Sequence, residues 1–514
     1  MLVHEFLENS AKRLPDKTAL IFQDQRMTYM QIDERANQLA HALINAGLKK
    51  GDRVSILLDN SSEAVISLFG VLKAGGVFST LSPTLKAKKL EYILNNSESS
   101  FLVSQWQKCE IVSKAVENVS FLKAVIMCGK SNKKTHCSST KINFTEWNAF
   151  INPQPHSKPE IQCIDIDLAN IIYTSGSTGN PKGVMMTHLS MASAATSITQ
   201  YLNNIETDII LNVLPLSFDY GLYQIIMASR FGGTVVLEKS FGYPYVVIDK
   251  IIKEKVTGFP IVPTILAIIL QLKDLKKYNF SHLRYISNTG AALPVNHIKI
   301  LRDIFPNVNI YSMYGLTECK RVSYLPPEEI DKRPTSVGKG MPNEEVYIVN
   351  EKGERVGPGV VGELVVRGSN VMRGYWKSPE ESDQVLKSGL YPGEKVLYTG
   401  DLFKMDEEGY LYFVARKDDL IKTRGERVSP KELENVLHEI DGVAEAAVIG
   451  VPDEILGKAI KIFIVTNGGK DLTEKEVIKF CQDNLESFMV PKYIEFIDSF
   501  KKTSSGKIDK KVLK

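Results

Sequence analysis

Long uncharged apolar runs are missing from this chain. The most apolar stretch, Val256–Leu272, is broken by Pro260 and Pro263. It is short for a membrane span and suits a buried strand running into a helix. The opening segment Met1-Leu-Val-His-Glu-Phe-Leu-Glu carries acids inside its only apolar patch, which excludes a secretory signal there. A charge excess is also absent. Lys+Arg 63 against Asp+Glu 60 leaves +3, so no global field points to nucleic acid. Cysteine is scarce: Cys109, Cys128, Cys137, Cys163, Cys319 and Cys481 are scattered with no Cys-x-x-Cys pair. That implies reduced thiols, a cytoplasmic setting and no zinc site. No internal repeat is present.

What remains is ordinary for a globular enzyme. With 514 residues, 43% hydrophobic and 24% charged, the chain can build a large core and more than one domain. From residue 28 to about 320, strand and helix patterns alternate, which means parallel sheets covered on both faces. Ile32, Ala36, Leu39, Ala40, Leu43 and Ile44 share a helical face closed by Gly47. Val54-Ser-Ile-Leu-Leu58 then reads as a strand and Ala64–Ala74 as a second helix. Lys130–Lys141 is polar, basic and aperiodic, an exposed loop by its pattern. Over residues 336–412 the texture changes to short strands with nearby glycines, such as Glu345–Asn350 and Gly362–Arg367, suiting a small β-barrel. From residue 416 onward it changes again. Ser429-Pro-Lys-Glu432 and Thr473-Glu-Lys-Glu476 are capping boxes opening two helices of a compact α+β unit. The expected architecture is α/β: a large N-terminal domain, 1–415, followed by a small, mobile C-terminal domain, 416–514.

Chemistry concentrates first in Tyr173-Thr-Ser-Gly-Ser-Thr-Gly-Asn-Pro-Lys-Gly-Val184. Thr174, Ser175, Ser177 and Thr178 supply hydroxyls, Gly176, Gly179 and Gly183 free the backbone, and Lys182 adds a charge. Such a loop can hold a polyphosphate. Leu168–Tyr173 reads as a strand and Leu189–Tyr201 as a helix, which places the loop between strand and helix, where phosphates bind. It is not a Walker loop, because Pro181 precedes Lys182 and Gly183 follows it. Further along, Tyr314-Gly-Leu-Thr-Glu318 ends a strand with an aromatic, a hydroxyl and a carboxylate. Tyr398-Thr-Gly-Asp401 offers a carboxylate suited to a ribose diol, since one carboxylate can accept both hydroxyls. Thr503-Ser-Ser-Gly-Lys507-Ile-Asp-Lys510 ends the chain with a lysine in a small-residue turn.

These blocks, in this order, resemble those of the adenylate-forming enzymes: acyl-CoA synthetases, stand-alone adenylation domains and luciferases. The resemblance spans nearly the whole chain. It implies that residues 174–179 and Lys182 cradle the phosphates, and that Gly290 and Ala291 of Asn288–Pro294 face the adenine. That loop departs from the family's pattern, because Thr289 replaces one of two adjacent glycines. The resemblance further implies that Tyr314 stacks on adenine, Thr317 contacts the α-phosphate, Glu318 holds magnesium (Mg2+), and Asp401 with Arg416 binds the ribose. Lys507 then bridges the acid and the phosphate. Arg416-Lys-Asp-Asp-Leu-Ile-Lys422 looks like the inter-domain hinge, with Asp418 as its pivot. After rotation about it, Lys422 approaches the reacting centre and Gly425 borders the thiol tunnel.

The resemblance implies that the acid pocket begins at Leu214-Pro-Leu-Ser-Phe-Asp-Tyr-Gly221, with Phe218, Asp219 and Tyr220 on one wall and Val262, within the apolar run Ile261–Leu270, on the other. The family's frequent histidine is absent at Phe218. Ser217-Phe-Asp219 resembles the amino-acid-activating branch, where the aspartate meets a substrate ammonium. Asp219 equally fits the N-cap of a helix Tyr220–Ala228. The expectation is therefore an ATP- and Mg2+-dependent ligase for a fatty or other organic acid, with an amino acid as the alternative. Its thiol acceptor is coenzyme A or a separate carrier protein, since the chain stops at Lys514. A non-catalytic nucleotide-binding relative is the remote alternative.

Overall fold

Alternating strands and helices assemble into two large sheets in the computed structural model. It describes residues 1–130, 141–174, 180–289, 293, 295–417, 419–423, 426–453, 457–467, 472–503 and 507–513. The first sheet has nine strands, parallel from Thr18–Phe22 through Asn309–Tyr314 with antiparallel strands added at each edge. The second has eight. Within it, Arg53–Leu57 and Val77–Thr80 pair in parallel, Val54 opposite Phe78, across the crossover helix Ser62–Lys73. Parallel pairing demands such a crossover. Every residue of that helix except Glu63 is buried, because a continuous apolar core packs around it between the two sheets.

One expectation is corrected at the glycine-rich segment. Lys182–Thr187 is a strand, antiparallel to Leu168–Thr174, with Thr174 opposite Lys182. Lys182 and Gly183 therefore lie on the second strand of a hairpin, and the helix His188–Tyr201 starts only after that strand. Gly183 serves packing here. A Cβ on it would lie 2.7 Å from Ile171 and 3.3 Å from Trp376, where Gly374–Tyr375 pairs onto the hairpin as an added strand.

Over 336–412 the β-rich part is a five-stranded antiparallel sheet. Its pairings among the described residues run as an open order and do not close into a barrel. The C-terminal part has its own sheet and its own apolar core, built from Ile421, Leu433, Leu437, Val448, Ile462 and Val477 among others. The box at Thr473 forms as read, whereas Ser429 forms only the N-cap half of its box. Ser429 Oγ accepts from Glu432 N with Pro430 at the first turn, and Thr473 makes a reciprocal box with Glu476. Cys128, Cys163, Cys319 and Cys481 are free, but Cys109 is disulfide-bonded, which corrects the expectation of uniformly reduced thiols. Among the described residues no helix is long and apolar enough to cross a membrane.

Candidate active site

The ends of the parallel strands, the hairpin and the five-stranded sheet converge on one cleft. Asp401 and Arg416 sit opposite each other on paired strands. The Arg416 Nε donates to Asp401 Oδ1 at 3.1 Å, and the Tyr314 hydroxyl donates to Asp401 Oδ2 at 2.6 Å. Asp401 is buried and Arg416 largely exposed. An ionised carboxylate has about four acceptor sites, so these two bonds orient Asp401 and leave room for a diol. Burial, then the Asp401 charge, pushes the Tyr314 hydroxyl well above its ordinary range, keeping it a donor.

Glu318 lies one strand-end away and accepts from the Tyr375 hydroxyl at 2.9 Å. Burial and then Glu318 raise the Tyr375 pKa. Lys182 pairs with Glu381 at 2.8 Å and stands 5.5 Å from the Tyr375 ring centre. Tyr375 thus ties the hairpin lysine to the Glu318 carboxylate. Among the described residues no group of three or more His, Cys, Asp or Glu converges as a metal site. A single carboxylate suits Mg2+ arriving with a nucleotide, which takes few protein ligands beside phosphates and water. Glu318 fits that donor set, flanked by the half-buried Thr317.

Lys507 reaches this cleft from the other domain. It sits in a tight loop closed by Thr503 N donating to Lys507 O at 2.7 Å and by the bridge Lys502 to Ile508. The residue as a whole is exposed, but neighbouring protein atoms desolvate its ammonium. That desolvation, then the Arg416 guanidinium, lowers its pKa, against Asp401, Asp219 and Glu318, which raise it. All four groups act on one lysine, so the large-domain site and the C-terminal loop face each other. His297 and His438 meet edge-on at 5.8 Å, and Ser429 Oγ donates to Val414 O across the same junction.

On the acid side, Asp219 is the first residue of the helix Asp219–Phe231, and Phe218 is its N-cap without a side-chain cap bond. The N-cap expectation for Asp219 is corrected. Its carboxylate lies 3.5 Å from the Lys320 ammonium, which is 2% exposed, so it already has a cationic partner. Tyr220 is buried and its hydroxyl bonds Ser287 O and Oγ. Val262 is buried at the N-cap of the helix Pro263–Gln271. Residues 175–179, Gly290, Ala291, Asp418 and Gly425 lie outside the described residues, as does the Lys422 side chain. Lys320, Arg321, Tyr375 and Glu381 were not singled out from the sequence. Only the first two left a signal: adjacent cations just after Glu318, heading the buried run Val322-Ser323.

Comparison with known proteins agrees with this geometry. The family model "AMP-binding enzyme" matches residues 7–376, and "AMP-binding enzyme C-terminal domain" matches 432–507. A long-chain-fatty-acid–CoA ligase of Bacillus subtilis is 32% identical, over 98% of this chain and 93% of that protein. Tyrocidine synthase 1 of Brevibacillus parabrevis is 28% identical over 99% of this chain, which spans 44% of that protein. Among solved structures, the anthranilate CoA ligase AuaEII in complex with anthranoyl-AMP superposes with a TM-score of 0.89 at 28% identity, covering 99% of this chain and 95% of that one. ATP-bound MatB from Rhodopseudomonas palustris gives 0.87 at 26%, covering 100% and 98%. With both family domains matched in order around a cleft of Tyr314, Glu318, Asp401, Arg416 and Lys507, the chain belongs to the adenylate-forming AMP-binding enzymes.

Proposed function

We propose that this enzyme activates a carboxylic acid with ATP·Mg2+, releasing pyrophosphate, and passes the acyl group from acyl-AMP to a phosphopantetheine thiol. The observation that carries this reading is Lys507, held where Asp401, Arg416, Glu318 and Asp219 all act on it. Joining a carboxylate to a phosphate sets two negative groups against each other. A lysine placed between them offsets that repulsion as the new bond forms. Asp401 and Arg416 hold the ribose, Tyr314 stacks on adenine, and Thr317 contacts the α-phosphate. The hairpin residues 174–179 and Lys182 hold the outer phosphates, with Lys182 leaving Glu381 for them. Mg2+ bound through Glu318 would neutralise phosphate charge.

Coenzyme A is the favoured thiol, because the Bacillus subtilis relative and the solved neighbour AuaEII are named as CoA ligases. A cytoplasmic setting follows from ATP and coenzyme A as substrates. Acid-dependent exchange of labelled pyrophosphate into ATP, run over fatty, aryl and amino acids, tests the reading. No exchange with any acid would leave only a nucleotide-binding relative. Tyr375→Phe removes a hydrogen bond to a charged group, worth about 1.5–3 kcal/mol. Exchange should fall by on the order of 10–100-fold at low Mg2+ and recover as Mg2+ is raised. A loss that ignores Mg2+ would separate Tyr375 from the metal carboxylate.

A further inference from the structure

The wall of the acid pocket carries more positive charge than its own carboxylate can balance. Lys320 and Arg321 follow Glu318 after Cys319, at the entry to the strand Ser323–Leu325. Lys320 holds a left-handed backbone, φ 71°, which is uncommon for a residue with a side chain and accumulates at functional sites. Its ammonium is matched by Asp219. Arg321 is only 4% exposed. Its Nη1 donates to Thr289 Oγ1 at 2.5 Å, and its guanidinium lies 5.1 Å from the Tyr220 ring centre. Its Nε is buried without an acceptor. Among the described residues no carboxylate pairs with it.

A guanidinium carries five donors and is always charged. Its neutral partners, the Thr289 and Tyr201 hydroxyls and the Tyr220 ring, do not balance the charge, and burying it so is costly unless another group completes it. Tyr220 and Thr289 locate Arg321 between the start of the helix Asp219–Phe231 and the end of the strand Tyr285–Asn288. Asp219, at the head of the same helix, is close enough to Lys507 to raise its pKa. Arg321 therefore borders the space between the reacting centre and the pocket wall.

We infer that the acid activated by this enzyme carries a second oxygen acceptor, a carboxylate or carbonyl beyond its reacting carboxyl, and that Arg321 is the specificity-determining residue that binds it. This rests on the ligase reading above. Asp219 plays a different part from the one its sequence context implies: it neutralises Lys320, and a substrate ammonium would have to displace that lysine. A pocket with a hydrogen-bonding cation discriminates strongly, because an analogue without the acceptor leaves the cation unpaired.

The test is pyrophosphate exchange with acids matched in size: glutarate and levulinate against valerate and norvaline, isophthalate against toluate, with palmitate as the long apolar acid. The parent enzyme should favour the acceptor-bearing member of a matched set by on the order of 10²–10⁴-fold in kcat/KM. Arg321→Met should abolish that preference while keeping exchange with the apolar member. ATP·Mg2+ binding, followed as a thermal shift, should be unchanged, which establishes that the variant is folded. Arg321→Lys, keeping charge but not the fork, should retain part of the preference. Preference of the parent for valerate, toluate, palmitate or norvaline overturns the inference alone. So does an equal loss for every acid in Arg321→Met, which would put Arg321 on the reacting carboxyl. Absence of exchange with all of them overturns the ligase reading itself.

Discussion

Lys507→Ala is expected to cut acyl-AMP formation by on the order of 10²–10⁴-fold, the range seen when a preorganised donor to developing charge is removed. Thioester formation from supplied acyl-AMP should survive far better, since the bond that Lys507 helps to form already exists. Separate assays of the two half-reactions check this, and equal loss in both would make Lys507 a structural residue. The pH dependence gives a second readout. Lys507 must be protonated to act. Its pKa lies below the ordinary 10.5, through desolvation first and Arg416 second. Raising the pH through that lowered value removes the charge, so adenylation should fail on the alkaline side before a free lysine would titrate. Bound ATP adds negative charge beside the ammonium and reverses part of the shift. The alkaline limb should therefore lie at higher pH in kcat, which reports the complex, than in kcat/KM, which reports the free enzyme. Lys507→Ala should lack that limb.

Where a feature is local, the sequence carried it. Both N-cap bonds form at Ser429 and Thr473 because the hydroxyl and the amide it caps lie three residues apart. The strand–helix alternation survives because burial imposes its period on each segment separately. Asp401 and Arg416 could be paired from sequence through resemblance, and fifteen residues of hairpin place them opposite each other. The misreadings are non-local. Lys182–Thr187 looked like loop because a short strand abuts the cap of the next helix at Thr187, and only its register with Leu168–Thr174 identifies it. Asp219 looked like a cap because its partner Lys320 lies 101 positions away. Tyr375 meets Glu318 across 57 positions, with no pattern linking them. Side-chain partners made by packing separate elements leave no periodic trace.

The remaining large effect concerns the junction between the domains. With Lys507 facing Asp401, Arg416 and Glu318, the observed arrangement suits the adenylation step proposed above. Thiolation instead needs a clear path for a long pantetheine arm, and the same loop cannot meet both demands in one place. We propose that the small domain rotates about Asp418, bringing Lys422 toward the reacting centre and Gly425 to the rim of the thiol path. The neighbours of Asp418 frame such a pivot. Lys417 is fastened to the large domain, its N–H donating to Gly400 O at 2.8 Å and its ammonium 3.2 Å from Glu363. Ile421 is already part of the small domain's apolar core. Few residues are left between them to absorb a large backbone change. Asp418→Pro fixes φ near roughly −65° and removes an N–H, so it should lock one orientation. The locked enzyme is expected to keep pyrophosphate exchange near the parent rate, to lose thioester formation by on the order of 10²-fold or more, as lid-hinge variants uncouple steps, and to accumulate acyl-AMP. Asp418→Ala, which leaves φ free, should retain both half-reactions and so separates backbone restriction from loss of the carboxylate. Thioester production by the proline variant at the parent rate would move the pivot elsewhere in residues 416–423.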